Sequence, residues 1–143
     1  MAYLVEIITK SSAIPRDRWT IKRKGESFHY SAPVLFDAEL EDDLTILVDV
    51  SKLIQGYAIS FNVDSYKGSA PFDKRIELRI ISTLVEMVKH FVNRVNPESI
   101  TINFASDSRR KLYLRLSRRY ARGLGYVVHI DPYDRTIIML YRL

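Results

Sequence analysis

Apolar residues recur at helical spacing in two parts of the chain, and the longer of these predicts a helix from about Phe72 to Val95. At 100° per residue its apolar positions fall on one broad face, which predicts packing against a sheet. Asn96-Pro97 ends the helix, since proline disfavours a helical residue before it. The apolar face comprises Ile76, Ile80, Ile81, Leu84, Val85, Met87, Val88, Phe91, Val92 and Val95.

The opposite side of this helix is polar and includes Arg79, Ser82, Glu86, Lys89, His90 and Asn93. No second histidine stands at metal-ligand spacing from His90, so we expect a solvated histidine. The sequence predicts no metal site. The acidic run Glu39, Glu41, Asp42 and Asp43 lacks the alternating spacing of a calcium loop and is interpreted as a solvated turn.

The second helical pattern begins at Ser106 or Asp107, either of which can cap it, and ends near Gly123 and Gly125. One stripe is apolar and predicted to be buried: Leu112, Tyr113, Leu116, Tyr120 and Leu124. A second stripe is positive: Lys111, Arg115, Arg118, Arg119 and Arg122, with Arg110 beside it. At 1.5 Å per residue this stripe is ~16 Å long.

Alternating and β-branched segments predict strands at residues 2–9, 27–36, 44–50, 57–64, 98–105, 126–130 and 135–143. Pro33 argues for an edge position or a bulge in its strand. Residues 10–26 are predicted to form a loop, with a short strand near Trp19–Lys22 as an alternative. Residues 44–50 and 57–64 should pair antiparallel, 126–143 should form a hairpin across Asp131-Pro132, and 98–105 should be central and parallel to a neighbour.

These elements predict one α/β (α+β) domain over residues 1–143. It has a single mixed, mostly antiparallel sheet and two main helices, in the order β-β-β-β-α-β-α-β-β. A chain of 143 residues suits one domain.

No window approaches the ~18–20 apolar residues of a membrane span, and no signal peptide is recognised. The absence of cysteine excludes disulfides and thiolate chemistry, and the expected location is the cytoplasm.

Positive charge is concentrated in the second helix. Residues 107–122 hold seven Lys and Arg against one acid, a net charge of +6, which exceeds the +5 of the whole chain. No acid stands four residues before or after any arginine of the positive stripe. Like charges at that spacing repel each other. Phosphates of a nucleic acid would relieve this repulsion. The alternatives are a stripe that serves solubility, or one that pairs with acids among residues 37–49 or on a partner protein.

A second basic-aromatic surface is predicted around the only tryptophan, and it comprises Arg16, Arg18, Trp19, Lys22, Arg23 and Lys24. Arginine suits phosphates and an aromatic face suits bases. The simpler interpretation is that Trp19 anchors this segment to the core.

Residues from about 57 to 130 resemble the C-terminal half of the GNAT acyltransferase fold. Leu124-Gly125-Tyr126 is similar to that family's LGF, and Ser106 through Leu112-Tyr113 is similar to its NxxAxxLY. The run FVNRVNPESITINFAS, followed by SRRKLYLRL and LGY, resembles more closely a group of uncharacterised tailed-bacteriophage proteins. The resemblance implies acetyl-CoA as cofactor, a CoA loop at Lys67, Gly68, Ser69 and Ala70, and Tyr113 or Tyr120 as the tyrosine that protonates the leaving thiolate.

Departures from the family pattern favour a non-catalytic role. Ser65 stands where the family's loop has Gln or Arg, and Pro71 removes an N–H that would face the pyrophosphate. Glu6, Glu77 and Glu86 have ordinary surface interpretations, so no general base is recognised. We therefore expect a module without catalytic residues or cofactor that binds nucleic acid or another polyanion. The alternatives are protein–protein interaction or assembly, including a homo-oligomer, and CoA-dependent N-acyl transfer.

Overall fold

The computed structural model describes residues 13–34, 44–65, 74–103, 107–134 and 136–143. Within these ranges the chain forms one mixed seven-stranded sheet and two helices, which confirms the predicted class. The strands are β1 (Thr20–Lys24), β2 (Ser27–Val34), β3 (Leu44–Lys52), β4 (Tyr57–Ser65), β5 (Ser99–Asn103), β6 (Tyr126–Ile130) and β7 (Ile137–Arg142). The helices are α1 (Lys74–Val95) and α2 (Asp107–Leu124).

The strands lie in the order β1-β2-β3-β4-β5-β7-β6. Only β4 and β5 run parallel among these neighbours, and the remaining pairs are antiparallel. The predicted β3–β4 pair, the central parallel β5 and the β6–β7 hairpin are all confirmed. In the hairpin turn, Oδ1 of Asp131 accepts hydrogen bonds from the backbone N–H of Tyr133 at 2.8 Å and of Asp134 at 3.2 Å.

The first described strand differs from the first predicted one. The strand predicted at residues 2–9 lies outside the described residues, whereas β1 lies in the segment predicted mainly as a loop. Its pairing with β2 closes at Lys24↔Ser27, so only Gly25 and Glu26 connect the two strands. Gly25 has φ +60, the left-handed conformation that such short hairpin connections require. A tight glycine turn thus permits a strand despite the high charge of TIKRK.

Pro33 does not place its strand at an edge of the described sheet, since β2 lies between β1 and β3. The β1 pairing ends at Thr20↔Ser31, two residues before Pro33, whereas the β3 pairing includes Pro33↔Thr45. Among the described strands, Pro33 therefore has a neighbour on one side only. The sequence predicted an edge position or a bulge; β2 as a whole is not an edge strand of the described sheet, but Pro33 itself has the one-sided pairing that a residue without an N–H requires.

The core lies on one face of the sheet, beneath both helices. Registered pairs such as Tyr30↔Val48 and Ile100↔Leu140 carry buried side chains on this face. From α1, the ring of Phe91 packs edge-on against Phe28 at 5.5 Å and against Tyr57 at 5.0 Å between ring centres. The intervening strand residues point to the other face, where Asp49, Ser60, Asn62, Asn103, Val127 and Tyr141 are exposed. No helix in the described residues is long and apolar enough to cross a membrane.

Candidate nucleic-acid interface

The predicted apolar stripe of α2 faces the core. Leu112 and Leu116 are buried, and Tyr113, Tyr120 and Leu124 are half-buried. Ala121, which the prediction omitted, is also buried, because it stands three residues before Leu124 and therefore lies next to it at the margin of the apolar stripe. The helix ends before Gly125, whose φ of +91 reverses the backbone and whose N–H donates to the carbonyl of Arg122 at 3.0 Å.

Contacts with α1 and the sheet fix the rotation of α2 about its own axis. Ile81 of α1 packs with Leu112 and Leu116, and the Phe61 ring of β4 lies 5.6 Å from that of Tyr113. After α2, the Tyr126 side chain enters the core, and its hydroxyl donates a hydrogen bond to the carbonyl of Pro97. The Leu124-Gly125-Tyr126 ending is therefore explained by packing and hydrogen bonding.

Because the apolar stripe faces inward, the positive stripe faces solvent. Its five members are all exposed: Lys111, Arg115, Arg118, Arg119 and Arg122. Among the described residues, ion pairs join Lys89 to Glu86 and Arg142 to Glu98, and His29 is hydrogen-bonded to Asp49. None of these contacts includes the positive stripe. Of the acids among residues 37–49 that the sequence suggested as partners, Asp49 contacts His29, and the others lie outside the described residues.

The stripe is not uniform along its length. The guanidinium of Arg119 lies 5.8 Å from the Tyr120 ring centre, which turns it partly toward the α1–α2 junction. Arg110 is half-buried and has an interaction partner of its own. Arg122 lies in the last helical turn, where a cation is favoured by the helix dipole. The most solvent-directed cations are therefore Lys111, Arg115, Arg118 and Arg122.

Trp19, at the centre of the predicted second basic surface, anchors its segment to the core. Nε1 of Trp19 donates to the carbonyl of Ile14 at 2.9 Å, and its ring packs edge-on against Tyr30. Arg16 lies 5.2 Å from the centre of the Trp19 ring. The basic residues Arg18, Lys22, Arg23 and Lys24 are exposed, but they belong to the β1 end of the sheet, whereas α2 packs against β6 at the other end. The two basic surfaces do not merge.

His90 is not the solvated histidine that the sequence predicted. Its Nδ1 lies 3.0 Å from the Tyr30 hydroxyl, and its ring packs edge-on against Trp19. Burial, followed by the positive charges of Arg16 and Arg94, lowers the pKa of His90. The prediction failed because residues 13–19 cover this side of α1, a non-local contact that helical periodicity does not reveal.

A hydrogen bond explains how that covering segment is held. The backbone N–H of Ile14 donates to Oγ1 of Thr83 at 2.9 Å, and that hydroxyl donates to the carbonyl of Arg79 at 2.7 Å. Thr83 and Ser82 are both buried, although at 100° per residue Ser82 lies roughly opposite the core residues Ile80 and Met87. Nothing in the local sequence indicates that residues 13–19 cover α1.

The implied CoA loop, comprising Lys67, Gly68, Ser69 and Ala70, lies outside the described residues. The described pairing of β4 with β5 runs from Tyr57↔Ile100 to Ser60↔Asn103. Phe61, the next residue of β4, packs against Tyr113 of α2. The cavity beside these two rings has a volume of about 70 Å³, and its lining is largely apolar.

Comparison with known proteins assigns no family to this arrangement: no protein-family model matches the chain, and no curated protein matches it. Within the described ranges there is also no group of three or more His, Cys, Asp or Glu residues that could hold a metal ion.

Proposed function

We propose that this protein binds nucleic acid through the exposed basic face of α2, by contacts to the phosphate backbone. The observation that supports this proposal is the alignment of Lys111, Arg115, Arg118 and Arg122 on one solvent-facing side of a helix. Among the described residues, none of these four lies within 4.0 Å of a carboxylate. Such a face concentrates positive potential, which attracts polyanions and accelerates their association.

The length of the basic face suits a short stretch of nucleic-acid backbone. The eleven residue steps from Lys111 to Arg122 extend ~16 Å at 1.5 Å each, and phosphates along one strand of a duplex are spaced ~3.4 Å along its axis. The face can therefore meet about five phosphates, of which four or five would be neutralised. Contacts of this kind carry no base information, so we expect binding with little sequence preference.

The test compares two variants that remove the same charge from different surfaces. Arg115→Gln, Arg118→Gln and Arg122→Gln together remove three positive charges from α2, and glutamine preserves helix propensity at exposed sites. The matched control, Arg18→Gln with Lys22→Gln and Lys24→Gln, removes three positive charges near β1. Fluorescence anisotropy with a labelled DNA or RNA duplex at low salt should show at least about tenfold weaker binding for the α2 variant alone.

Two outcomes contradict the proposal. If both variants lose affinity equally, net charge rather than the α2 face governs binding. If polyglutamate competes as well as nucleic acid at equal charge, the face serves acidic proteins. Circular dichroism of both variants should match that of the parent protein, because all six side chains are exposed.

A second candidate function, assembly with another copy of this chain, is favoured by β6, which is an edge strand of the sheet that the described residues form. The opposite edge, β1, carries Lys22, Arg23 and Lys24, and such charges oppose strand addition, whereas β6 carries none. Exposed apolar side chains lie beside it: Val127 at 50% exposure, Tyr141 at 43% and Leu143 at 75%. Two uncharged β6 edges could pair across a two-fold axis without like-charge repulsion.

Assembly through β6 predicts a dimer that survives high salt. Light scattering in about 1 M NaCl, where the Debye length is ~3 Å, should then give twice the 16.7 kDa of one chain. Val127→Lys should restore the monomer by charging the edge, whereas Lys22→Gln at the other edge should not change the mass. A monomeric parent protein at high concentration would eliminate this candidate.

A further inference from the structure

We propose that the cleft between residues 13–19 and α1 binds a small organic anion that carries an aromatic ring, of the size and chemistry of a nucleoside monophosphate. The cleft has a volume of about 510 Å³, within the ~300–1,000 Å³ typical of small-molecule sites. It lies on the flank of α1 and uses no residue of α2. The inference is therefore independent of nucleic-acid binding by the basic helix.

The lining of the cleft is mixed in chemistry. Ile14, Pro15 and Trp19 contribute apolar surface, and Arg16, His90 and Asn93 contribute polar groups. Sites for small molecules combine apolar surface with a few polar groups that fix the orientation of the ligand. An aromatic body would lie against the apolar residues, and its acidic group would lie beside Arg16.

The cleft has an excess of positive charge, which favours binding of an anion. Glu86 is its one described carboxylate, and it already pairs with Lys89 at 3.7 Å. Arg16 has no carboxylate partner among the described residues. The positive charges of Arg16 and Arg94 both act on His90 and help to lower its pKa. A phosphate or carboxylate beside Arg16 would offset this excess positive potential.

The polar groups are also held in position before any ligand arrives. Nδ1 of His90 is engaged with the Tyr30 hydroxyl, which leaves Nε2 as the ring nitrogen able to meet a ligand. Trp19 is fixed by its hydrogen bond to Ile14, and Ile14 is fixed by Thr83. Preorganisation of this kind reduces the entropic cost of binding.

Trp19 is the only tryptophan of the chain, so it reports directly on the cleft. The probe is phenyl phosphate, followed through the Trp19 indole N–H signal in ¹H–¹⁵N NMR, with adenosine monophosphate as the larger probe. We expect a saturable shift with both, at least about tenfold tighter than with inorganic phosphate, which lacks the ring. Bound anion should also raise the pKa of His90, measured from the pH dependence of its ring signals.

Arg16→Gln should weaken phenyl phosphate binding at least about tenfold, whereas the matched control Arg18→Gln should leave it unchanged. Both residues are exposed, so both variants should fold. Three results would overturn the inference: no saturable shift up to about 10 mM phenyl phosphate, equal binding of inorganic phosphate, or full affinity in Arg16→Gln.

Discussion

The ammonium nitrogen of Lys89 lies 4.6 Å from the centre of the Tyr120 ring, and this contact joins α1 to α2. Tyr120 stands one turn after Leu116 on the inward side of α2, so the contact belongs to the same junction that buries the apolar stripe. Arg115, Arg118 and Arg122 are directed outward as a consequence. The orientation of the basic face thus depends on packing at the junction, without requiring any ion pair on the face itself.

Lys89→Met tests the contribution of this contact to stability. Methionine retains a long apolar stem but removes the charge, so we expect a loss of about 0.5–2 kcal/mol in the free energy of unfolding, measured by urea denaturation. Lys111→Met is the matched control, since Lys111 is exposed on the outer face, and should change stability by less than about 0.5 kcal/mol. Equal effects at the two positions would show that the Lys89–Tyr120 contact is not stabilising.

The buried hydroxyl of Thr83 should be more important than its methyl group. Thr83→Val leaves the N–H of Ile14 buried without its acceptor, which should destabilise the protein by about 1–3 kcal/mol. Thr83→Ser keeps the acceptor and should cost about 1 kcal/mol, through loss of one methyl group. Urea denaturation of both variants decides the matter, and a valine variant as stable as the serine variant would contradict this role.

Stability should fall on acidification because of His90. A lowered pKa means that the folded protein binds the proton less readily than the unfolded chain, whose histidine pKa is about 6.5. The stabilisation is therefore complete above about pH 6.5 and is lost as pH falls through the folded-state pKa. The groups that face this ring are Tyr30, Trp19, Arg16, Arg94, Glu86 and Lys89.

His90→Gln removes this titration while retaining a group able to hydrogen-bond Tyr30. The dependence of the melting temperature on pH between 7.5 and 5 should become flatter in this variant. The same substitution at exposed His129 should leave the pH profile of the parent protein in place. Identical profiles in all three proteins would show that His90 does not govern acid sensitivity.

Gly56 should tolerate substitution less well than Gly25. Both have positive φ, +77 and +60, so alanine is strained at either site by about 1–2 kcal/mol. At Gly56 a Cβ would also lie 2.5 Å from the backbone oxygen of Ser99, whereas at Gly25 it would meet open space. Gly56→Ala should therefore lower the melting temperature further than Gly25→Ala, and equal losses would mean that the approach to Ser99 relaxes without cost.

Sequence periodicity predicted the features that are set locally. The two stripes of α2 follow from spacing alone, because each position fixes its own direction on the helix. The β3–β4 pair and the β6–β7 hairpin follow from short connections and turn residues. The covering of α1 by residues 13–19 could not be predicted, since Ile14 and Thr83 are 69 positions apart and nothing local indicates their hydrogen bond. His90 was misplaced for the same reason.

The dependence of nucleic-acid affinity on salt tests the proposed function most directly. With four or five phosphates neutralised, the logarithm of the association constant for a duplex should fall linearly with the logarithm of salt concentration, with a slope of about −4. The Arg115→Gln, Arg118→Gln, Arg122→Gln variant should have a slope smaller in magnitude by about 2.7, since three contacts are lost. Absent binding at low salt, or a slope that the α2 variant leaves unchanged, would contradict the assignment of nucleic-acid binding to this helix.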